Sequence, residues 1–246
     1  QESEFHIREL HISKINVKGA KKVKQKEIKK VMTSRAPSVK AIFKPKPVFE
    51  EETLKEDIGR IKMLYWTKGF YSVQISYSLE EIEDNLVNVQ ILIDEGELTV
   101  VKDIEFLMEE EEIESFEVNF RQLIPIKGEE AFVVEKYEKS KEIIYQFLAD
   151  RGYPIASVEG EAKVNKEKKA AYLSFQVTAG PKAYFDQISI QGNQSVSETL
   201  ILRELTFERG QLFSLSKIQE SQKKLYNTRL FKTAIISYER EVHAED

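Results

Sequence analysis

The chain has 246 residues, 41% hydrophobic and 32% charged, with ten glycines, six prolines and no cysteine; this excludes a disordered chain, a disulfide-stapled module and thiolate chemistry. No apolar run approaches the roughly 18 to 20 residues of a membrane-spanning helix, and QESEFHIREL has neither the basic nor the apolar region of a signal peptide, so the chain reads as soluble, with a mature or trimmed N-terminus left open. The net charge of −5 is unevenly spread: Lys14 to Lys46 hold twelve lysines and arginines against one acid, Glu27, a net of +11 that leaves −16 for the rest.

In chain order, a first strand is predicted at INVKG, residues 15–19, followed by a helix marked by Val23, Ile28 and Met32. A basic insertion, 35–48, comes next. A second helix then follows from Leu54, Ile58, Ile61 and Tyr65, and Gly69 ends it, because glycine accepts the left-handed conformation of a helix terminus. Tyr71 to Tyr77 read as a second strand, EEIEDN as a hairpin loop, and Val87, Val89, Ile91 and Ile93 as a third strand that stops at Glu95-Gly96.

The pattern then repeats. Val100, Ile104 and Phe106 begin another strand, an acidic run EEEEIESFE follows, and a long helix is marked by Val134, Tyr137, Lys141, Ile144 and Leu148. Gly152 again precedes an aromatic residue. Ile155 to Gly160 read as a strand, VNKEKK as a hairpin loop, and Ala171, Leu173, Phe175 and Val177 as the strand before Ala179-Gly180. A third copy opens at ISIQGN, 188–193, with Ser195 and Glu198 at capping-box spacing, and it closes on LYNTRLFKTAIISY. That phrase shares seven of fourteen positions with LYWTKGFYSVQISY, 161 residues earlier.

Each repeat therefore reads strand, helix, helix, strand, strand, an α+β unit whose helices cover one face of a sheet. The predicted divisions are an N-terminal lead at 1–11, then repeats at 12–97, 98–181 and 182–246. Units of about 80 residues bury only about 60 to 65% of their surface, so packing between neighbours is expected to help. The joints DEGELTVVKD and TAGPKAYFD are short and carry no glycine-serine linker, which predicts an elongated, jointed array.

Little in the chain carries bond chemistry. His6, His11 and His243 sit at the two ends and read as isolated surface side chains, with no set of ligands for a metal. Phosphate-binding, dinucleotide-binding and nucleophile-elbow motifs are absent. The acidic run lacks the aspartate alternation and glycine turn of a calcium loop and reads as a solvated helix start. No enzyme and no cofactor are expected. Lys18, Lys21, Lys22, Lys24, Lys26, Lys29 and Lys30 surround the first helix, with Lys40, Lys44, Lys46 and Phe43 on the insertion. They read as a solvated face or as a patch attracted to an anionic membrane surface or acidic partner; sparse aromatics argue against nucleic acid.

The strand-helix-helix-strand-strand order, the EG or AG closing the third strand, I-x-I-x-G-N at Ile188 to Asn193, and L-Y-x-T-x-x-F at the helix-to-strand junction together resemble POTRA repeats, the polypeptide-transport-associated domains of the BamA/TamA superfamily of outer-membrane β-barrel assembly factors. The resemblance spans residues 12–246. Met108 in the place of the first-strand glycine, the acidic run and the basic insertion depart from the family pattern.

Three repeats resemble the translocation and assembly module more than the five-repeat general assembly factor. The resemblance implies a periplasmic location, attached to the bacterial outer membrane, and a three-stranded mixed sheet in which strand three lies between strands one and two. Strand two is then an edge able to accept an extended peptide. The candidate residues are Tyr71, Val73, Ile75 and Tyr77 in the first repeat and Lys232, Ala234, Ile236 and Tyr238 in the third. Pro154 lowers the rank of the edge between them. Implied partners are unfolded outer-membrane or secreted polypeptides and an accessory lipoprotein or inner-membrane-anchored protein. The resemblance further implies a third strand for the last repeat and a membrane β-barrel after it in the parent chain. The alternatives are a passive periplasmic spacer, a two-partner secretion transporter or a chloroplast import channel.

Overall fold

A computed structural model describes residues 9–37, 46–83, 85–193 and 195–238. Lys40, Phe43 and Lys44 of the basic insertion, and His6 and His243, lie outside the described residues. The described residues gather into two compact units, one drawn from 1–103, 128–135 and 163–172, the other from 104–127, 136–162 and 173–246.

The first unit contains β1 (His11–Lys18), α1 (Gln25–Val31), α2 (Glu51–Trp66), β2 (Gln74–Glu83) and β3 (Leu86–Asp94), with sheet order β1-β3-β2. β1 pairs parallel with β3 and β2 pairs antiparallel with it, so the sheet is mixed. The parallel pair needs a crossover, which α1 and α2 provide. Alternation in β3 buries Val87, Val89, Ile91 and Ile93, the last three in one cluster with Leu54, Ile61 and Tyr65 of α2. A register shift between Ile12 and Lys14 lets Ile12 and Ile15, three apart, both point inward.

Two buried carboxylates tie this unit together. Glu95 accepts from the amides of Lys21 (2.9 Å), Lys22 (2.8 Å) and Val23 (3.2 Å), and from the Tyr65 hydroxyl. Asp57, with no exposed surface, accepts from the amides of Thr33 (2.5 Å) and Ser34 (2.9 Å) beyond the end of α1, and from Arg60 (2.6 Å). Burial alone would raise both carboxyls; the converging donors outweigh it and hold both below their ordinary values.

Beyond β3 come β4 (Val100–Met108), α3 (Glu111–Glu114), α4 (Glu117–Leu123), α5 (Val134–Ala149), β5 (Ser157–Asn165) and β6 (Ala170–Thr178), in a second sheet of order β4-β6-β5. The acidic run, 109–117, holds the whole of α3 and the first residue of α4. Phe106, Phe120, Phe147 and Phe175 fill the core between strands and helices. α6 (Glu198–Arg203) and α7 (Leu215–Asn227) follow. The cap of α6 is Ser197, accepting from the Leu200 amide at 3.4 Å; the cap lies two residues beyond the predicted Ser195, and with Leu200 at the third helical position it makes no capping box.

The hairpins are tighter than the sequence predicts. β2 runs through most of EEIEDN, and Asn85 turns the chain with φ 66°. β5 likewise takes in Val164 and Asn165 of VNKEKK, leaving a turn at residues 166–169 before β6. Cross-strand pairing extends the ladder as far as turn residues that tolerate positive φ permit.

The greatest departure lies in residues 182–238. Neither 188–193 nor 232–238 forms a strand. Both known sheets place their last strand in the centre, and among the described residues no segment fills that position here. The stretch packs instead as apolar chain: Ile236 and Tyr238 lie against a cluster of Ala149, Phe185, Phe207, Phe213 and Ile218.

Candidate functional site

The two sheets share an asymmetry between their edges. The outer edge of β1 is occupied by the chain itself: the Ile12 amide donates to the Pro47 carbonyl (2.7 Å), the Phe49 amide to the Leu10 carbonyl (2.7 Å), and Gln25 Nε2 to the Val17 carbonyl (3.1 Å). β4 is occupied in the same way. Val101 exchanges backbone bonds with Glu130 and Glu129 (both 2.8 Å), and Arg121 Nη2 donates to the Ile104 carbonyl (3.0 Å). By contrast, among the described residues the backbone of β2 pairs with β3 alone. Its outer row of amides and carbonyls is an open edge of the kind that templates an added strand.

Of the residues assigned to this edge from sequence, Ile75 and Tyr77 lie on β2, opposite Ile93 and Ile91. Tyr71 and Val73 do not. They belong to the turn after Gly69, where the Val73 amide reaches back to the Phe70 carbonyl, and Val73 is 5% exposed in the core. Leaving the helix takes three more residues than alternation alone implies. Tyr77 donates its hydroxyl to Glu51 Oε1 at the start of α2 (3.0 Å), which raises the phenol and lowers the carboxyl. Leu79 and Ile82 continue the strand as exposed apolar side chains.

In the second sheet β5 is also the outer strand, and side chains enter its pairing. The Glu161 amide donates to Ser174 Oγ (3.3 Å), and the Tyr137 hydroxyl to the Ser174 carbonyl (2.9 Å). Pro154 precedes β5 and removes no donor from it.

Lys232, Ala234, Ile236 and Tyr238 form no sheet edge, since there is no strand there. The Ile236 amide is taken by Gln222 Oε1 (3.2 Å), and the Tyr238 ring packs on Phe213 with centroids 4.9 Å apart. A strand needs a neighbour to accept its amides; this segment has helices instead. Lys18, Lys21, Lys22, Lys24, Lys26, Lys29 and Lys30 are all exposed.

Sequence reading missed a backbone joint that occurs once in each unit. The Gly69 carbonyl accepts the Thr99 amide (2.9 Å), and the Thr99 carbonyl accepts the Phe132 amide (2.8 Å). The Gly152 carbonyl accepts the Ala183 amide (2.8 Å), and the Ala183 carbonyl accepts the Phe213 amide (3.0 Å). Gly69 and Gly152, at φ 90° and 95°, thus end a helix and begin a joint. In the first joint Tyr71 stacks between Trp66 and Phe132. The buried Trp66 Nε1, Tyr71 hydroxyl and Thr99 hydroxyl find no partner among the described residues, and burial pushes the Tyr71 phenol up to about 12.

Among the described residues no three His, Cys, Asp or Glu side chains gather as a metal site, and no helix is long and apolar enough to cross a membrane. What the site offers is backbone pairing on tandem modules of strand, two-helix crossover and hairpin.

Such modules define a class of tandem α+β repeat. The family model of POTRA, the surface antigen variable number repeat, matches residues 10–96, 100–180 and 183–245, and the chain belongs to that family. It is 20% identical over 226 residues to the outer membrane protein assembly factor BamA of Nitratidesulfovibrio vulgaris, covering 90% of this chain and 28% of that protein. It is 24% identical over 212 residues to the BamA of Neisseria meningitidis serogroup B, covering 82% of this chain and 26% of that protein. The chain therefore spans little more than a quarter of these relatives. Its fold is similar to POTRA domains 3–5 of Haemophilus influenzae BamA, with a TM-score of 0.56 and 18% identity over 92% of this chain and 88% of that one.

Proposed function

We propose that this chain is the periplasmic arm of an outer-membrane protein assembly factor. It stands at the outer membrane, receives unfolded outer-membrane or secreted polypeptides by strand addition at β2, and docks an accessory lipoprotein or an inner-membrane-anchored partner. It makes and breaks no covalent bonds. The parent chain carries a membrane β-barrel, in keeping with relatives more than three times as long.

The observation that carries the reading is the contrast between edges: β1 is closed by Pro47, Phe49 and Gln25, whereas β2 is open. Main-chain pairing depends little on client sequence, which suits a receiver of many polypeptides, and alternate side chains of the client would meet Ile75, Tyr77 and Leu79. The relatives named BamA support the assembly-factor branch of the superfamily.

The test is site-specific photocrosslinking to an unfolded outer-membrane protein, with the probe at Ser76 or Ser78 on β2 and, for comparison, at Asn16 on β1. Adducts at Ser76 and Ser78 well above those at Asn16 are expected. Equal labelling of both edges, or none at β2, would leave a passive spacer as the better reading.

A further inference from the structure

We propose that the turn after β1 and the helix α1 form a docking surface for anionic lipid headgroups, separate from the β2 edge. The turn carries Lys21, Lys22 and Lys24, the helix Lys26, Lys29 and Lys30, and all six are exposed, as is Lys18 at the end of β1. Among the described residues none of them is in an ion pair. Elsewhere in the chain lysines do pair: Lys55 with Glu52, Lys102 with Glu129, Lys169 with Glu97, Lys182 with Glu112.

The acids nearest the patch are already engaged. Glu27 binds Lys68 at 2.7 Å, and Glu95 is turned inward on the amides of Lys21, Lys22 and Val23. Six positive charges within ten residues repel one another at a cost to the folded state, and among the described residues no ion pair offsets it, the attraction of Lys24 to Glu27 aside. Their use is therefore external.

The chemistry of the patch selects the partner. Every cation from residue 14 to 30 is lysine, a hydrated point charge suited to a diffuse anionic surface rather than to bidentate recognition of one group. No aromatic residue lies between Lys18 and Lys30, so the stacking platform of a single-stranded nucleic-acid site is missing. The rest of the chain has a net charge of −16 against +11 for residues 14–46, so this segment is where the chain attracts an anionic membrane. The surface adds membrane contact to the arm and does not depend on client binding.

The test is flotation of the 246-residue chain with vesicles of phosphatidylcholine alone and of phosphatidylcholine mixed equally with phosphatidylglycerol. Binding to the anionic vesicles alone is expected, weakening steeply between about 0.01 M and 0.15 M salt as the screening length falls. Replacing Lys26, Lys29 and Lys30 together with glutamine should lower the partition coefficient about a hundredfold, at roughly fivefold per lysine, while replacement with arginine should keep it. Circular dichroism of both variants checks that α1 is retained. Equal binding to both vesicles, binding that ignores salt, or an unaffected glutamine variant would overturn the proposal; so would binding to polyglutamate without binding to anionic vesicles, which would point to an acidic protein instead.

Discussion

The hydroxyl of Tyr65, at the end of α2, donates to the carboxylate of Glu95, just past β3, at 2.9 Å. Through that carboxylate the long helix, the central strand and the turn after β1 are held at one point. Because Glu95 also takes three amides, its loss leaves buried donors unpaired, and Glu95→Ala should destabilise the first unit by about 2 kcal/mol or more. Urea denaturation is the measurement, and Glu95→Gln, which keeps one acceptor, should cost less.

The same carboxylate makes stability depend on pH. Its folded pKa lies below the unfolded value, so its contribution is present above the unfolded value of about 4 and is lost as pH falls through the folded one. Asp57 acts in the same direction. The denaturation midpoint should therefore fall as pH drops below about 5, and Glu95→Gln should flatten that decline. A profile unchanged by the substitution would remove Glu95 as a source of acid lability.

Asp57 holds the chain beyond α1 against α2. Asp57→Ala strands two amides and the Arg60 guanidinium, and should cost about 3 kcal/mol. At the corresponding place in the last repeat, Ser221 Oγ accepts the Thr206 amide at 2.8 Å. A neutral hydroxyl with one amide to satisfy should matter less, so Ser221→Ala should cost about 1 kcal/mol. Thermal melting of the two variants compares them.

At the first joint the expectation reverses. Thr99 is fully buried and its hydroxyl is without a partner, so Thr99→Val should be neutral or stabilising by up to about 1 kcal/mol. Tyr71→Phe removes a second such group and should behave alike. A loss of more than about 1 kcal/mol in either variant would mean that the hydroxyl is bonded in solution, and a shift in melting temperature reads it directly.

Gly152 is held at φ 95°, and an added Cβ would lie 2.6 Å from Leu212 Cδ1. Gly152→Ala should cost about 1 to 2 kcal/mol, chiefly from the left-handed backbone, since Leu212 can rotate away. Loss of amide protection at Ala183 and Phe213, read by hydrogen exchange, should accompany it, because both amides belong to that joint.

Much of the architecture is legible in the residues. Val87, Val89, Ile91 and Ile93 are buried in alternation as their period requires, and the sequence restates the same run at Ala171 to Val177. Leu54, Ile61 and Tyr65 mark the covering helix for the same reason: a local period declares which face must leave water. Ile75 and Tyr77 on the open strand were likewise readable. Tyr71 was not, since only the geometry of the Gly69 turn carries it from the strand into the joint.

What tertiary structure decided is everything that depends on a neighbour in space. Local sequence determined the repeat, the order of its elements and the faces they bury, since these follow from side-chain spacing along a few turns or strand residues. It could not determine that Pro47, Phe49 and Gln25 close the edge of β1 while β2 stays open, because those bonds join residues distant in the chain. Nor could it show that Lys232 to Tyr238, with the alternation of a strand, would lie outside any sheet, with the Ile236 amide on Gln222 and the Tyr238 ring on Phe213. Alternation chooses a face; a strand exists only where another backbone accepts its hydrogen bonds.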